Sequence, residues 1–150
     1  MAKRKSLQHD DCPVARAVDL VGDRWSMLIV RDALDGIRRF GDFQRNLGVA
    51  RNILSDRLSA LVDDGLLAIQ PASDGSAYQE YVLTAKGESL FPAIVALRQW
   101  GERHLFAPGE AHSELIETAS GKRVAAMQPR DHDGKILKPS HAVVKKLVEK

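Results

Sequence analysis

The sequence has few of the features that would place the protein outside the cell or in a membrane. Cys12 is the only cysteine, which excludes an intrachain disulfide framework and suits a reducing compartment. No apolar run approaches the roughly 20 residues that cross a bilayer. The basic start MAKRKSLQHDDC is not followed by the apolar stretch of a signal peptide. We therefore expect a cytoplasmic protein with no membrane partner.

The motifs of common enzyme classes are also missing from the sequence. It contains no Walker loop, no G-x-S-x-G elbow and no evident pair of catalytic carboxylates. His9 and Cys12 have a ligand-like spacing, but a zinc site needs further ligands, and the five histidines are scattered. The sequence predicts no enzyme, no metal site and no cofactor.

What the chain does contain fits an ordinary globular protein with a slight excess of positive charge. Its 150 residues are enough to bury a core without staples, and the formal net charge is +2. The positive excess lies in the first 60 residues and in the last 44, whereas the middle is acidic. This distribution is a weak indication of a basic face.

Apolar residues recur at helical spacing through most of the chain. Helices are predicted over residues 13–21, 23–34, about 40–47, 50–64 and 85–106. Gly65 follows the fourth as a C-terminal cap, and Thr84 can cap the fifth. We expect residues 1–11 to be flexible and residues 107–150 to form a small β appendage.

Between the last two helices, the stretch LLAIQPASDGSAYQEYVLT predicts a β-hairpin. Asp74-Gly75 separates two short runs of β type, which is a hairpin signal. A short helix, a glycine turn, a second helix and a hairpin make up a winged helix-turn-helix, whose second helix lies in the DNA major groove. The predicted recognition helix covers about 50–64, and the wing covers about 67–83.

The predicted recognition helix has short hydrogen-bonding side chains in place of the usual solubilising lysines. These are Arg51, Asn52, Ser55, Asp56 and Ser59. Asparagine pairs with adenine, arginine with guanine and serine with either, so such side chains suit the reading of base edges. A solvated helix with no DNA partner would show similar residues.

A helical wheel separates the two faces of this helix. Leu54, Leu58 and Leu61 centre the buried face, and Asn52, Asp56 and Ser59 lie opposite. Arg57 lies near the core flank, which favours an intramolecular salt bridge. Asp56 either accepts from a cytosine amino group or pairs with a neighbouring arginine. Arg38 and Arg39 precede the first helix of the motif and are predicted to contact phosphates.

Five segments stand in order between Cys12 and Phe106: CPVARAVDLVGDRWSMLIVRDAL, RRFGDFQRNL, ARNILSDRLSALVDDGLL, YVLTAKGESLFP and WG. In order and spacing they resemble the HxlR family of bacterial winged-helix transcriptional regulators. The resemblance implies a mostly α fold with a small β wing, in a domain over residues 12–106. It also implies a homodimer that binds an inverted-repeat DNA operator as a repressor or activator.

Carried over to this chain, the resemblance places residues 73–79 at the wing tip, with Ser73 and Ser76 as DNA contacts. It assigns dimerisation to the first and last helices. The candidate interface residues are Val14, Val18, Leu90, Ile94, Leu97 and Trp100. The chain departs from the pattern in its wing, which has no lysine or arginine, and in its tail, where TASGKRV and RDHDGKIL have turn shapes but no cysteine.

Cys12 directly precedes Pro13 at the start of the first helix. In HxlR-like regulators the equivalent cysteine often senses oxidants or electrophiles, so Cys12 is a redox-sensing candidate. With no second cysteine, a disulfide would have to join two subunits or involve a small thiol. The alternatives left open are an inert buried cysteine, control by a small-molecule effector, and a winged-helix module that binds a protein in place of DNA.

Overall fold

The computed structural model describes residues 5–148, which form the mixed α+β architecture that the sequence predicts. Within these residues, six helices and one two-stranded sheet follow one another in the order α1 (Pro13–Val21), α2 (Ser26–Leu34), α3 (Phe40–Leu47), α4 (Arg51–Asp63), β1 (Leu67–Pro71), β2 (Gln79–Leu83), α5 (Ala85–Glu88) and α6 (Phe91–His104). A 3-10 turn follows at Pro139–His141. The chain divides into two compact units, one reaching Phe91 and the other beginning at Pro92.

The core of the first unit is built on α2 and α4. Ile29 and Val30 of α2 have no exposed surface, and neither do Leu54 and Leu58 of α4 or Phe43 of α3. The leucine spacing in α4 places its apolar side chains on one side of the helix, which then packs against α2 and β1. This packing fixes the orientation of the opposite side of α4.

The start of α2 lies three residues later than the sequence predicts. The helix begins at Ser26, not Asp23, because the carboxylate of Asp23 accepts hydrogen bonds from the backbone N–H groups of Trp25 and Ser26, both at 3.0 Å. Asp23 therefore caps the helix from outside, as short acceptor side chains commonly do.

Between α3 and α4 the chain turns at Gly48, whose φ of 63° is left-handed and favours glycine. A partly buried contact also holds α3: the side-chain amide of the exposed Asn46 donates to the buried Asp32 at 2.8 Å. Asp32 is only 1% exposed and also accepts from Arg31. These contacts produce the helix-turn-helix geometry.

Strands β1 and β2 form the predicted antiparallel hairpin, with Leu67 opposite Leu83 and Ile69 opposite Tyr81. The hairpin closes where the backbone N–H of Thr84 donates to the carbonyl of Leu66 at 3.0 Å. Thr84 caps the following helix as expected, because its hydroxyl accepts from the backbone N–H of Gly87 at 3.1 Å.

The prediction of a single helix over residues 85–106 is wrong. The structure has two helices in this range, α5 and α6, separated at Ser89 and Leu90. Pro92 explains the break. In a continuous helix its ring would clash with the carbonyl of Glu88, and it has no N–H to donate. At the second position of α6 the same proline costs no intrahelical hydrogen bond.

In the second unit, two short turns follow α6. Isolated antiparallel bridges pair Ile116 with Arg123 and Arg130 with Ile136. The side chain of Gln99 anchors the first turn to α6, donating to the carbonyl of Ala125 at 3.0 Å and accepting from Met127 N–H at 2.7 Å. Within residues 5–148, no helix has the length and apolar character needed to span a bilayer.

Candidate nucleic-acid interface

The outward face of α4 is a row of accessible polar side chains. Arg51, Asn52, Ser55, Asp56 and Ser59 are all exposed, whereas Leu54, Leu58 and Leu61 on the opposite face are at most 1% exposed. The two faces predicted by the wheel are therefore the two faces in the structure. Their separation leaves hydrogen-bonding groups free along two turns of the helix.

Arg57 belongs to neither of these faces. Its guanidinium forms the predicted intramolecular salt bridge, to Asp23 at 3.5 Å. Burial raises the pKa of Asp23, but hydrogen bonds from Ser26 and Trp25 together with the charge of Arg57 outweigh it, so the pKa lies below its ordinary value. The ionised carboxylate thus connects α4 to the start of α2.

Arg51, the first residue of α4, lies over an aromatic ring. Its guanidinium carbon is 5.0 Å from the centre of the Phe40 ring. Such a cation–π contact restricts a long side chain while leaving its N–H groups free to donate. Arg51 is thereby held beside the N-terminus of α3.

Arg39 reaches from the N-cap of α3 into the wing. It forms an ion pair with Asp74, lies 3.5 Å from the Ser76 hydroxyl, and has its guanidinium carbon 5.1 Å from the Tyr78 ring centre. Hydrogen bonds from the Ser76 backbone and hydroxyl, with a further one from Arg39, lower the pKa of Asp74 to about 2. The wing has no cation of its own, and Arg39 supplies one.

Arg38 is joined to the wing as well. Its guanidinium lies 3.4 Å from Glu80, and its backbone carbonyl accepts from Tyr81 N–H at 2.7 Å. Glu80 is 3% exposed and also accepts from the backbone N–H and hydroxyl of Ser73, both at 3.1 Å. The Ser73 backbone hydrogen bond lowers the pKa of Glu80, burial opposes it, and the Ser73 hydroxyl and Arg38 reinforce the lowering.

An open groove of about 760 Å³ lies between the N-termini of α3 and α4 and the wing. Three arginines, two tyrosines and two glutamines are among its lining residues. The groove is lined by Arg39, Phe40, Gly41, Asp42, Gln44, Arg45, Arg51, Ala77, Tyr78, Gln79 and Tyr81. The groove thus brings together Arg39 and Arg51, which the sequence named separately. Next to the groove, Arg38 and Ser73 contact Glu80, and Ser76 lies beside Arg39.

Four of the residues that organise this surface were not predicted as functional: Phe40, Asp74, Tyr78 and Glu80. Their partners lie far along the chain; Arg39 and Asp74 are 35 positions apart, and Arg38 and Glu80 are 42 apart. A local sequence pattern gives no sign of such pairings. One available signal was charge complementarity, because the wing has acidic residues and no lysine or arginine, whereas residues 38 and 39 are both arginine.

The remaining candidate residues lie outside this surface. Cys12 is exposed at the N-cap of α1, and its backbone N–H donates to the Asp10 carboxylate at 2.8 Å. Val14 and Val18 of α1 are 68% and 52% exposed. In α6, Leu97 and Trp100 are 56% and 52% exposed. Leu90 and Ile94 are half-buried.

Residues 20–108 match the family model described as HxlR-like helix-turn-helix. An uncharacterised HTH-type transcriptional regulator of Mycobacterium tuberculosis is 50% identical over 95 residues, which cover 63% of this chain and 60% of the relative. The match therefore spans about three fifths of the mycobacterial protein.

Two solved structures extend the comparison. PA1607, described as a candidate transcription factor, has a TM-score of 0.89 and 51% identity, covering 93% of this chain and 98% of its own. The reduced form of the redox regulator HypR has a TM-score of 0.57 and 27% identity, covering 63% of this chain and 94% of its own. The family match covers more than half of the chain. The chain belongs to the HxlR-like helix-turn-helix family.

Proposed function

We propose that this protein is a transcriptional regulator that binds an inverted-repeat operator in double-stranded DNA as a homodimer and acts without catalysis. In this proposal α4 enters the major groove and the β1–β2 hairpin serves as the wing. The outward face of α4 carries the proposal: its short polar side chains are exposed while its leucines are buried. Side chains of this kind hydrogen-bond to base edges, whereas long lysines contact mainly phosphates.

The groove beside α4 supports the same function. Arg39, Arg45 and Arg51 line it. Arg39 pairs with Asp74 and Arg45 with Asp42, whereas Arg51 has no ion pair among residues 5–148, so the edge of the proposed DNA surface keeps a net positive charge. Each phosphate that is neutralised releases a counterion, which makes the affinity for DNA depend on salt. Tyr78 adds an aromatic group that is 67% exposed at the wing.

Homodimer formation is supported by apolar side chains that a single chain leaves in water. Val14 and Val18 of α1 and Leu97 and Trp100 of α6 are each more than half exposed. Burying such side chains against a second copy is favourable. A symmetric dimer would place two copies of α4 about one helical repeat apart on one side of the duplex.

The test is a salt titration of binding to DNA from upstream of the protein's own gene, followed by site selection from random DNA. We expect the logarithm of affinity to fall linearly with the logarithm of salt concentration. Asn52→Ala should relax preference at one base pair by about 1–3 kcal/mol. Binding that is insensitive to salt, or identical selection by wild type and variant, would count against base reading by α4.

A response to oxidants or electrophiles through Cys12 forms the second part of the proposal. It is supported by the exposure of Cys12 and by the redox regulator HypR among the similar structures. With diamide as oxidant, two Cys12 thiols from two copies would lose two protons and two electrons and form one S–S bond. Non-reducing electrophoresis and DNA affinity after diamide test this. If diamide produces no covalent species and no change in DNA affinity, the proposed role of Cys12 is contradicted.

A further inference from the structure

Asp56 occupies the middle of the outward face of α4. It is exposed, and it follows Asn52 by four residues and precedes Ser59 by three. Residues at these spacings are neighbours on a helix surface, so the three side chains form one strip. In the proposed DNA complex, this strip lies against the edges of the bases.

The arginines that could neutralise Asp56 have other partners. Arg57 forms its ion pair with Asp23, and Arg51 lies over the Phe40 ring at 5.0 Å. Asp56 takes part in none of the ion pairs found among residues 5–148. Its carboxylate therefore remains an uncompensated negative charge on a surface proposed to meet phosphates.

Such a charge is unfavourable beside DNA unless it accepts a hydrogen bond, because phosphates repel it. In the major groove, only amino groups donate. The adenine edge places the N7 acceptor next to its amino group, and that acceptor also repels a carboxylate. The cytosine edge offers the N4 amino group alone. Cytosine is therefore the base that best matches an isolated carboxylate.

We propose that Asp56 accepts a hydrogen bond from the N4 amino group of a cytosine in each operator half-site and thereby determines specificity at that base pair. This inference rests on the proposed function. Asp56 acts chiefly by excluding other DNA sequences. A base that offers only acceptors at this position repels the carboxylate and leaves it without a hydrogen bond.

The experiment is site selection from random DNA with wild type, Asp56→Ala and the control Asp63→Asn. Asp63 is exposed at the last position of α4, so its substitution removes a charge from the same helix away from the strip. Affinities are then measured for the selected site and for a site with that cytosine replaced by thymine. The ratio of the two affinities cancels any general effect of charge on DNA binding.

We expect a ratio of about ten for wild type and for Asp63→Asn, and a ratio near one for Asp56→Ala. Circular dichroism establishes that each variant is folded. If Asp56→Ala keeps the wild-type preference for this cytosine, this inference alone is overturned. The same holds if the base pair at which Asp56→Ala loses selectivity does not contain the cytosine. A wild type that selects no sequence overturns the inference and the proposed function together.

Discussion

The carboxylate of Glu80 lies 3.4 Å from the guanidinium of Arg38, and the Glu80 side chain is 4% exposed. The same carboxylate accepts two hydrogen bonds from Ser73. One buried acceptor thus connects the segment before α3 to both sides of the wing. Because a buried polar group left without its partner is costly, the wing depends on Glu80 for its position.

Glu80→Ala should lower the thermal unfolding midpoint and weaken operator binding, because Ser73 N–H and Arg38 both lose their acceptor. Glu80→Gln should retain more stability, since its carbonyl oxygen still accepts from Ser73. Thermal unfolding followed by circular dichroism compares the two variants. Equal midpoints for Glu80→Ala and wild type would show that the wing does not need this contact.

The carboxyl group of Asp74 should titrate with a midpoint of about 2, well below its ordinary value of 3.8. Because the folded pKa is lowered, its contribution to stability is complete above pH 3.8 and is lost as the pH falls towards 2. An NMR titration of the side-chain carboxyl carbon measures the midpoint. In Arg39→Ala the midpoint should rise part of the way, since Ser76 supplies the larger share of the lowering. A wild-type midpoint near 3.8 would contradict the structure.

Asp74→Asn should strengthen binding to random-sequence DNA. The substitution removes a negative charge from the wing and releases Arg39 from its ion pair. If Arg39 then contacts one phosphate, the slope of log affinity against log salt should steepen by about 0.9. A slope equal to that of wild type would mean that Arg39 makes no additional phosphate contact in the variant.

Trp100→Asp should convert the protein to a monomer, because it places a charge at a side chain that is 52% exposed in one chain and proposed to be buried against a second copy. Sedimentation velocity measures the oligomeric state. Affinity for a two-half-site operator should fall by more than about tenfold. Ile136→Asp, at a side chain 56% exposed and outside the proposed interface, is the control. A dimeric Trp100→Asp would exclude this part of α6 from the interface.

Gly87→Ala should destabilise the fold by about 1–3 kcal/mol through overpacking. A Cβ at Gly87 would lie 2.2 Å from the carbonyl oxygen of Leu66 and 2.9 Å from the Leu83 side chain, at the base of the wing. Urea unfolding measures the loss. Glu88→Ala, at the next, exposed residue, should leave the stability nearly unchanged. Equal stabilities for the two variants would contradict the close packing at Gly87.

The elements around α4 were predictable because each depends on residues close together in sequence. Leu54, Leu58 and Leu61 mark the buried face by their spacing, and the same wheel places Arg57 near the core, where it meets Asp23. The hairpin has its own turn signal at Asp74-Gly75. Fold class and the presentation of α4 therefore follow from the sequence alone.

The contacts of Arg38 and Arg39 were not predictable in the same way. Both arginines were expected to contact phosphates, and that role stays a prediction; in the structure each is paired with a wing carboxylate. These pairs depend on how β2 lies beside residues 38 and 39, which no local pattern records. Pro92 was a sequence signal for the break before α6. The helical spacing of apolar residues on both sides of Pro92 nevertheless led to the prediction of one continuous helix.

The salt bridge between Arg57 and Asp23 has a consequence for how such a protein can acquire new targets. The contacts that hold α4 lie on its inward side and flank, in Leu54, Leu58, Leu61 and Arg57. Substitutions at Asn52, Asp56 or Ser59 leave that attachment untouched. Under the proposed function, retargeting to a different DNA sequence, in evolution or by engineering, therefore requires only the exchange of outward side chains on an unchanged scaffold.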